Sequence, residues 1–291
     1  MHGSDRVFML AGDHRWQWEE WCDAHSVPRE RIGEVKAVIT DAFLAARQRS
    51  AVVARSGSLL LDDQYSRAQI ARARSARAVV GTPAEKAGAF PLEWGSDDLL
   101  FAPPPGSFVK VLVKDRSDYE PALRRGQFDK LEQLQRWCRA FATPLVVEVL
   151  VPRADEPEET FEGDGRPAML ARTIRDAYAR GIEPEYWKVE GTTSAAGART
   201  IDAAIAERGG SRQVVLGKNA EGATIAKWFS ALAGCATPTG FAIGRSVFWK
   251  PGTAFLTGAM SAREAADAMT AGYLALIDVW HAAVSPARTA S

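Results

Sequence analysis

The stretch Tyr186-Trp187-Lys188-Val189-Glu190 decides how this 291-residue chain is interpreted. It has the character of a short buried strand, yet it carries a lysine and a glutamate. Because side chains alternate between the two faces of a strand, Lys188 and Glu190 are expected to point the same way. A buried amine loses its hydration, so it is usually paired, deprotonated or used in chemistry. A partly neutral lysine forms Schiff bases with carbonyl compounds, which makes Lys188 the first candidate for a reacting group.

Short apolar runs of β type recur on both sides of this stretch and alternate with helical patterns. The predicted strands cover residues 7–11, 58–62, 77–81, 108–114, 145–151, 186–190, 213–217 and 240–244. The predicted helices cover residues 29–49, 66–75, 121–141, 168–180, 195–208, 220–233 and 262–283. Such alternation predicts a parallel α/β sheet. Eight units in a chain of this length favour a closed (β/α)8 TIM barrel, and an open doubly wound sheet is the alternative.

The chain is expected to form a single domain, because no Pro/Gly-rich linker divides it. We predict the barrel over residues 1–283 and a flexible tail over residues 284–291, which are rich in Ser, Pro, Ala and Arg. Two Pro/Gly-rich segments, 89–106 and 153–166, are interpreted as long loops. The sequence leaves the oligomeric state open, a homo-oligomer included.

The composition excludes several classes of function. Lys+Arg and Asp+Glu both number 36, so no global field recruits nucleic acid or an anionic membrane. No apolar run approaches the roughly 20 residues of a membrane helix, and no signal peptide is predicted. Three scattered cysteines argue against a disulfide framework and a zinc site, which predicts a cytoplasmic protein. The four histidines do not cluster and the common nucleotide and zinc motifs are absent, so neither a metal nor another cofactor is predicted.

A second lysine is predicted close to Lys188. Lys110 and Lys114 share one face of the strand over 108–114, and if that face lines the barrel, Lys110 approaches Lys188. Like-charge repulsion then lowers the pKa of Lys188 further than desolvation alone does. The role of Lys114 stays open.

Glu148 is the one charged residue of the apolar run 145–151. A carboxyl group in that position is a candidate proton shuttle with a raised pKa. The alternative is that Lys110 or Lys188 forms a plain buried ion pair with Glu148 or Glu190.

Polar residues at the predicted strand ends are candidates for substrate binding, because barrel enzymes place their sites at the carboxyl ends of the strands. Asp13, His14 and Arg15 follow the first strand and form a candidate clamp for substrate hydroxyls, with Arg15 near an anionic group. A helix-capping turn is the alternative for Asp13. Asp62 and Glu190 end other strands and are assigned to the same substrate-binding set.

A phosphate site is predicted after the seventh and eighth strands. Gly217 and Gly244-Arg245 stand where barrels often bind phosphate through glycine amides and a helix N-terminus. A basic residue, Lys218 or Arg245, follows each glycine. Ordinary turn glycines are the alternative.

These residues together resemble a known family, the aldolase-like domain of inositol catabolism, which is often fused behind 5-dehydro-2-deoxygluconokinase. More distantly the chain is similar to tagatose-bisphosphate and sulfofructose-phosphate aldolases. The likeness runs from about Phe8 to His281. It is carried by Asp13-His14-Arg15, Leu60-Leu61-Asp62-Asp63-Gln64-Tyr65, Val109-Lys110-Val111-Leu112-Val113, Val147-Glu148-Val149, Trp187-Lys188-Val189-Glu190, Val215-Leu216-Gly217 and the run from Gly240 to Phe248.

The resemblance implies a metal-independent class I aldolase on a TIM barrel. It implies that Lys188 is the Schiff-base lysine, Lys110 the second active-site lysine, Glu148 the strand-five glutamate and Arg245 the terminal arginine. It also places Gln64 in the substrate-binding set. The implied substrate is a sugar phosphate, such as 2-deoxy-5-keto-gluconate 6-phosphate, cleaved to dihydroxyacetone phosphate and malonic semialdehyde.

The chain departs from the family pattern on the expected substrate face. After Leu112 the family tends to carry aromatic residues and then His-Pro-Asp, where this chain has Val113-Lys114-Asp115-Arg116-Ser117-Asp118. Lys218-Asn219 replaces a more apolar-acidic pair. These departures leave the substrate open. Two other functions also stay open: an isomerase or transferase that uses the same lysine, and a non-catalytic barrel that binds a sugar phosphate.

Overall fold

The computed structural model describes residues 6–96 and 106–284. Eight parallel strands pair in chain order, and β1 pairs with both β2 and β8, which closes the barrel. The predicted (β/α)8 TIM barrel is confirmed. The strands are β1 (Val7–Ala11), β2 (Gly57–Leu60), β3 (Val79–Pro83), β4 (Phe108–Lys114), β5 (Leu145–Leu150), β6 (Tyr186–Glu190), β7 (Arg212–Leu216) and β8 (Pro238–Ile243).

Within the described residues, helices follow every strand except β3 and cover the outside of the barrel. They are α1 (Trp16–Ala24), α2 (Ile32–Arg49), α3 (Ala51–Ser56), α4 (Asp63–Ser75), α5 (Pro121–Ala140), α6 (Glu158–Thr160), α7 (Arg166–Ala179), α8 (Ala195–Ala206), α9 (Gly222–Ala231), α10 (Arg245–Leu256) and α11 (Ala262–Val284). A 3₁₀ turn over Arg29–Arg31 precedes α2, and a π-helical segment over Phe161–Gly165 precedes α7. Among the described helices, none has the length and apolar composition needed to cross a bilayer.

The alternation of side chains along β4 separates two layers of the core. Val109, Val111 and Val113 point outward and are buried beneath the helices. Phe108 points inward and packs in a small apolar cluster inside the barrel. Its ring fills the space beside Gly81, where a Cβ atom would lie 2.0 Å from the ring. The amino-terminal part of the barrel is therefore a packed plug.

The inward-facing residues change from apolar to charged toward the carboxyl ends of the strands. Lys110 follows Phe108 by two positions on β4, and Glu148 follows the buried Val146 by two positions on β5. Because side chains alternate, these charged groups form the next layer above the apolar plug. This layer is the floor of the candidate site.

Five of the predicted strands, the second, third, fifth, seventh and eighth, have other bounds in the structure, and two of these differences affect the site. The second strand ends at Leu60 rather than at residue 62, because Asp62 caps α4 and accepts a hydrogen bond from the Tyr65 amide at 2.7 Å. The third strand runs over Val79–Pro83 rather than 77–81, because Arg77 has φ = 55° and belongs to the turn after α4.

Several helical segments were missed in the sequence. Two predicted segments, a loop and the C-terminal tail, lie partly outside the described residues. The helices α1, α3 and α10 were not predicted, and the segment 153–166, predicted as a loop, contains α6 and the π-helical segment. Residues 97–105 of the predicted loop 89–106 lie outside the described residues. The predicted tail also lies outside them from residue 285 onward.

Candidate active site

A cavity opens at the carboxyl ends of the strands, where barrel enzymes place their sites. Its space, including the open mouth, is about 730 Å³. Most of the predicted site residues line it, namely Asp13, His14, Arg15, Lys110, Glu148, Lys188, Gly217, Gly244 and Arg245. The folding of the chain thus brings together residues that are far apart in sequence.

The centre of the site is a carboxylate shared by two lysines. Glu148 is the register partner of Lys188 in the pairing of β5 with β6. The Glu148 Oε2 atom lies 2.9 Å from Lys188 Nζ and 2.8 Å from Lys110 Nζ. The three residues are 6%, 4% and 3% exposed, respectively. Lys110 and Lys188 therefore lie close together, as predicted, because both ammonium groups contact the same oxygen of Glu148.

Lys110 is surrounded by negative charge. Its ammonium contacts Asp13 Oδ2 at 2.9 Å and Glu85 Oε1 at 2.8 Å, in addition to Glu148. Burial alone would lower the pKa of Lys110, but the three carboxylates raise that pKa well above its usual value. Lys110 is therefore a fixed cation at neutral pH.

The carboxylates show the opposite shift. Burial alone would raise the pKa of Glu148 and of Asp13, but the charges of Lys110 and Lys188 lower both pKa values below their usual range. The raised pKa predicted for Glu148 was therefore wrong for this arrangement. Two neighbouring ammonium groups outweigh the desolvation of the carboxyl group.

Lys188 differs from Lys110 in the number of its acidic partners. Within the part of the chain that the structure describes, Lys188 forms an ion pair with Glu148 alone. A proton that leaves the Lys188 ammonium therefore has Glu148 Oε2 as a direct acceptor. The charge of Lys110 is meanwhile kept in place by Asp13 and Glu85.

Glu85 belongs to the site but was missed in the sequence. It lines the cavity, and its carboxylate contacts Lys110 and accepts a hydrogen bond from the Leu112 amide at 3.1 Å. Glu85 stands two residues after the end of β3, as Asp13 stands two residues after the end of β1. A correct boundary for the third strand was the signal that would have identified it.

The first loop supplies two further cavity residues. Arg15 donates through Nη2 to the Glu85 carbonyl at 3.1 Å and contacts Glu85 Oε1 at 3.5 Å. The His14 ring packs edge-on against Phe248, and burial lowers the pKa of His14 to about 3. His14 is therefore neutral at pH 7. Arg15 braces Glu85, which was not foreseen from the sequence.

Asp62 does not line the cavity, because it serves a different partner. Its carboxylate accepts a hydrogen bond from the fully buried Lys36 at 2.6 Å and caps α4. Lys36 also donates to the carbonyls of Gly12 and His14, on either side of Asp13. Lys36 was missed, and with Asp62 it holds the loop that carries Asp13.

Gln64 and Glu190, the other predicted substrate-binding residues, also lie outside the cavity lining. Gln64 is exposed and donates to Glu19 Oε1 at 3.1 Å. Glu190 is buried and contacts Arg166 Nη1 at 3.2 Å and Lys218 Nζ at 2.7 Å. The positions of Asp62, Gln64 and Glu190 therefore do not support direct contact of these residues with a substrate.

The predicted phosphate residues lie together on the side of β7 and β8. Gly244 approaches β1 so closely that a Cβ atom would lie 1.9 Å from the Ala11 carbonyl oxygen. Arg245 begins α10, a 12-residue helix whose N-terminus carries a partial positive charge. The Arg245 Nε atom is buried and has no hydrogen-bond partner among the described residues.

The charge balance of the cavity favours an anionic ligand. Among the described residues, the lining contains five cationic side chains, Arg15, Lys110, Lys188, Lys218 and Arg245, against three carboxylates, Asp13, Glu85 and Glu148. No group of His, Cys, Asp and Glu in the described ranges is arranged to hold a metal ion.

The fold and site together define a (β/α)8 barrel protein with a lysine–carboxylate centre at its carboxyl-terminal face. Residues 1–284 match the family described as an uncharacterized protein conserved in bacteria (DUF2090), and the chain belongs to this family. No curated protein matches the chain.

Solved structures show where the same fold occurs. The fructose-bisphosphate aldolase of Plasmodium falciparum, in complex with TRAP and a small-molecule inhibitor, has a TM-score of 0.71 at 11% identity, over 96% of this chain and 91% of that one. The Cgl0159 protein of Corynebacterium glutamicum has a TM-score of 0.57 at 12% identity, over 94% and 88% of the two chains. At these identities the likeness shows a shared barrel fold.

Proposed function

We propose that this chain is a class I aldolase that cleaves a ketose phosphate through a Schiff base on Lys188, without a metal ion. The observation that carries the proposal is the position of Glu148 Oε2, 2.9 Å from Lys188 Nζ and 2.8 Å from Lys110 Nζ, on the floor of an open cavity. The excess of cationic side chains suits a phosphorylated substrate. The shared fold with an aldolase and the family resemblance of the sequence support the same reaction.

In the first step Lys188 acts as the nucleophile. Its ammonium passes a proton to Glu148, and the neutral amine attacks the ketone carbon of the substrate. The new C–N bond forms as the C=O π bond breaks, and a net proton transfer from the attacking nitrogen to the former carbonyl oxygen gives the carbinolamine. Glu148, now a carboxylic acid, protonates the carbinolamine hydroxyl, and water leaves to give the iminium.

In the second step the iminium draws electrons from the neighbouring C–C bond. The hydroxyl on the β carbon loses its proton to a carboxylate of the site, for which Asp13 and Glu148 are the candidates. The bond between the α and β carbons breaks, the β carbon leaves as an aldehyde, and an enamine remains on Lys188. Protonation of the enamine and hydrolysis release the ketone product. The fixed charge of Lys110 stabilises the oxygens on which negative charge develops.

The phosphate is assigned to Arg245, the glycines Gly217 and Gly244, and the N-terminus of α10. The resemblance of the sequence points to 2-deoxy-5-keto-gluconate 6-phosphate as the substrate. Cleavage between its third and fourth carbons gives dihydroxyacetone phosphate and malonic semialdehyde.

A substrate panel with product analysis tests this proposal. The wild type is incubated with 2-deoxy-5-keto-gluconate 6-phosphate and other ketose phosphates, and dihydroxyacetone phosphate is measured with a coupled dehydrogenase. We expect cleavage by the wild type and by Lys227→Met, a surface control on α9, and none by Lys188→Met. Isomerised or transferred products without cleavage would contradict the proposal, as would ligand-induced thermal stabilisation with no turnover.

A further inference from the structure

We propose that Lys218 is a second phosphate-binding cation, which exchanges its ion pair with Glu190 for one with the phosphate of the bound substrate. This inference rests on the proposed function and adds a residue to its phosphate site. Lys218 lies between the predicted phosphate residue Gly217 and helix α9, and it lines the same cavity as Arg245.

The Lys218 side chain has the freedom that such an exchange requires. It is 47% exposed, whereas the buried lysines Lys110 and Lys188 are held on the cavity floor. Its Nζ atom lies 2.7 Å from Glu190 Oε1 and 3.7 Å from Glu162 Oε1. Because about half of the Lys218 side chain is exposed, its ammonium group can be solvated while it moves from Glu190 to another anion.

The backbone holds Lys218 at the cavity rim. Lys218 and Asn219 have φ values of 44° and 60°, so two consecutive non-glycine residues adopt the left-handed conformation. The Ala220 amide donates to the Gly217 carbonyl at 2.8 Å and closes this turn. The anchor of the side chain is thus fixed while its ammonium group can move.

Glu190 can release Lys218 without becoming an unpaired buried charge. It is 2% exposed, and the loss of every partner would be costly. Its Oε1 atom also contacts Arg166 Nη1 at 3.2 Å, and its Oε2 atom accepts a hydrogen bond from the Val151 amide at 3.2 Å. Both contacts remain when Lys218 leaves.

The charge of the ligand gives the reason for a second cation. A phosphate monoester carries close to two negative charges at neutral pH, because its second pKa is about 6. Arg245 supplies one cationic group on the β8 side of the cavity, and Lys218 supplies the other on the β7 side. We therefore expect Lys218 to help distinguish phosphorylated from unphosphorylated ketones.

Calorimetry with inorganic phosphate tests the inference without any turnover. Lys218→Met and Arg245→Gln are each expected to weaken phosphate binding by about tenfold or more, as the loss of a charged hydrogen bond does. Lys227→Met removes one lysine charge from α9 outside the cavity lining and is expected to bind like the wild type. A dissociation constant of Lys218→Met equal to that of Lys227→Met would overturn the inference, and so would a wild type that does not bind phosphate.

Reduction with borohydride gives a second readout. The concentration of dihydroxyacetone phosphate that gives half-maximal trapping is expected to rise about tenfold in Lys218→Met, whereas that of unphosphorylated dihydroxyacetone stays the same. An equal rise for both ketones would contradict a role in phosphate binding. If the wild type traps neither ketone, the aldolase proposal fails, and the calorimetry alone decides the role of Lys218.

Discussion

Glu148 lies directly opposite Lys188 in the pairing of β5 with β6, and one oxygen of its carboxylate also contacts Lys110. The two lysines are not equivalent, because Lys110 has two further carboxylate partners, Asp13 and Glu85. When a proton moves from Lys188 to Glu148, two opposite charges disappear and Lys110 keeps its counter-ions. The geometry therefore distinguishes a lysine with one carboxylate partner from a lysine with three.

The Glu148→Gln variant tests the proton shuttle. Glutamine has the same size and still hydrogen-bonds to the lysines, but it does not take up or donate the proton. We expect the cleavage rate in single-turnover experiments to fall by about 10²- to 10⁴-fold, the usual contribution of a general acid–base group. Glu207→Gln, on the surface beside Arg175, is the control. A rate within about threefold of the wild type would remove Glu148 from the mechanism.

The Glu85→Gln variant tests the charge of Lys110. Glu85 is one of three carboxylates that raise the pKa of Lys110. Its removal lowers this pKa, so Lys110 loses its proton at a lower pH. We expect the alkaline limb of the pH profile of kcat/KM to move to lower pH, with Glu207→Gln, on the surface beside Arg175, as the control. An alkaline limb at the wild-type position in Glu85→Gln would contradict this assignment.

His14 predicts a dependence of stability on pH. Burial lowers its pKa from 6.5 to about 3, so between these values the unfolded chain binds a proton that the folded protein does not. Stability is therefore lost as the pH falls below 6.5, by about 1.4 kcal/mol per pH unit. Urea unfolding between pH 7.5 and 5 measures this slope.

A matched pair of variants assigns that slope to one residue. His14→Gln is expected to flatten the dependence, whereas His25→Gln, which changes an exposed histidine, is expected to keep it. The prediction fails if both variants keep the wild-type slope.

The buried pair of Lys36 and Asp62 predicts a large effect on stability. Both side chains are fully buried, so Lys36→Met leaves the Asp62 carboxylate without its counter-ion. We expect a loss of about 3–5 kcal/mol in the free energy of unfolding, measured with urea. Lys86→Met, which breaks an exposed pair with Glu93, is expected to change stability little. Equal effects of the two variants would show that the buried pair does not brace the fold.

The central residues could be predicted because each is a charge inside an apolar run. For Lys110, Glu148 and Lys188, the alternation of a strand is enough to assign the face, and the barrel then brings that face together. The prediction needed only the type of each element and no accurate boundary. The fold itself could be predicted for the same reason, since eight apolar runs mark its strands.

The remaining parts of the site depend on boundaries and long-range pairing that a single sequence does not specify. Glu85 was not predicted as a site residue, because the third strand was placed two residues too early and Glu85 then fell within a loop. Asp62 was predicted to end a strand. In the structure it caps α4 and accepts hydrogen bonds from the Tyr65 amide and the Ser66 hydroxyl. Lys36 lies in a helix, and nothing near it in the sequence points to Asp62. The helix α10 was missed because it contains Pro251, which interrupts a helical pattern.

The most direct test of the account is borohydride reduction in the presence of dihydroxyacetone phosphate, followed by peptide mass mapping. The account predicts one adduct, on Lys188, in the wild type and no adduct in Lys188→Met. An adduct on Lys110 or another lysine, or no adduct at all in an active wild-type enzyme, would contradict it.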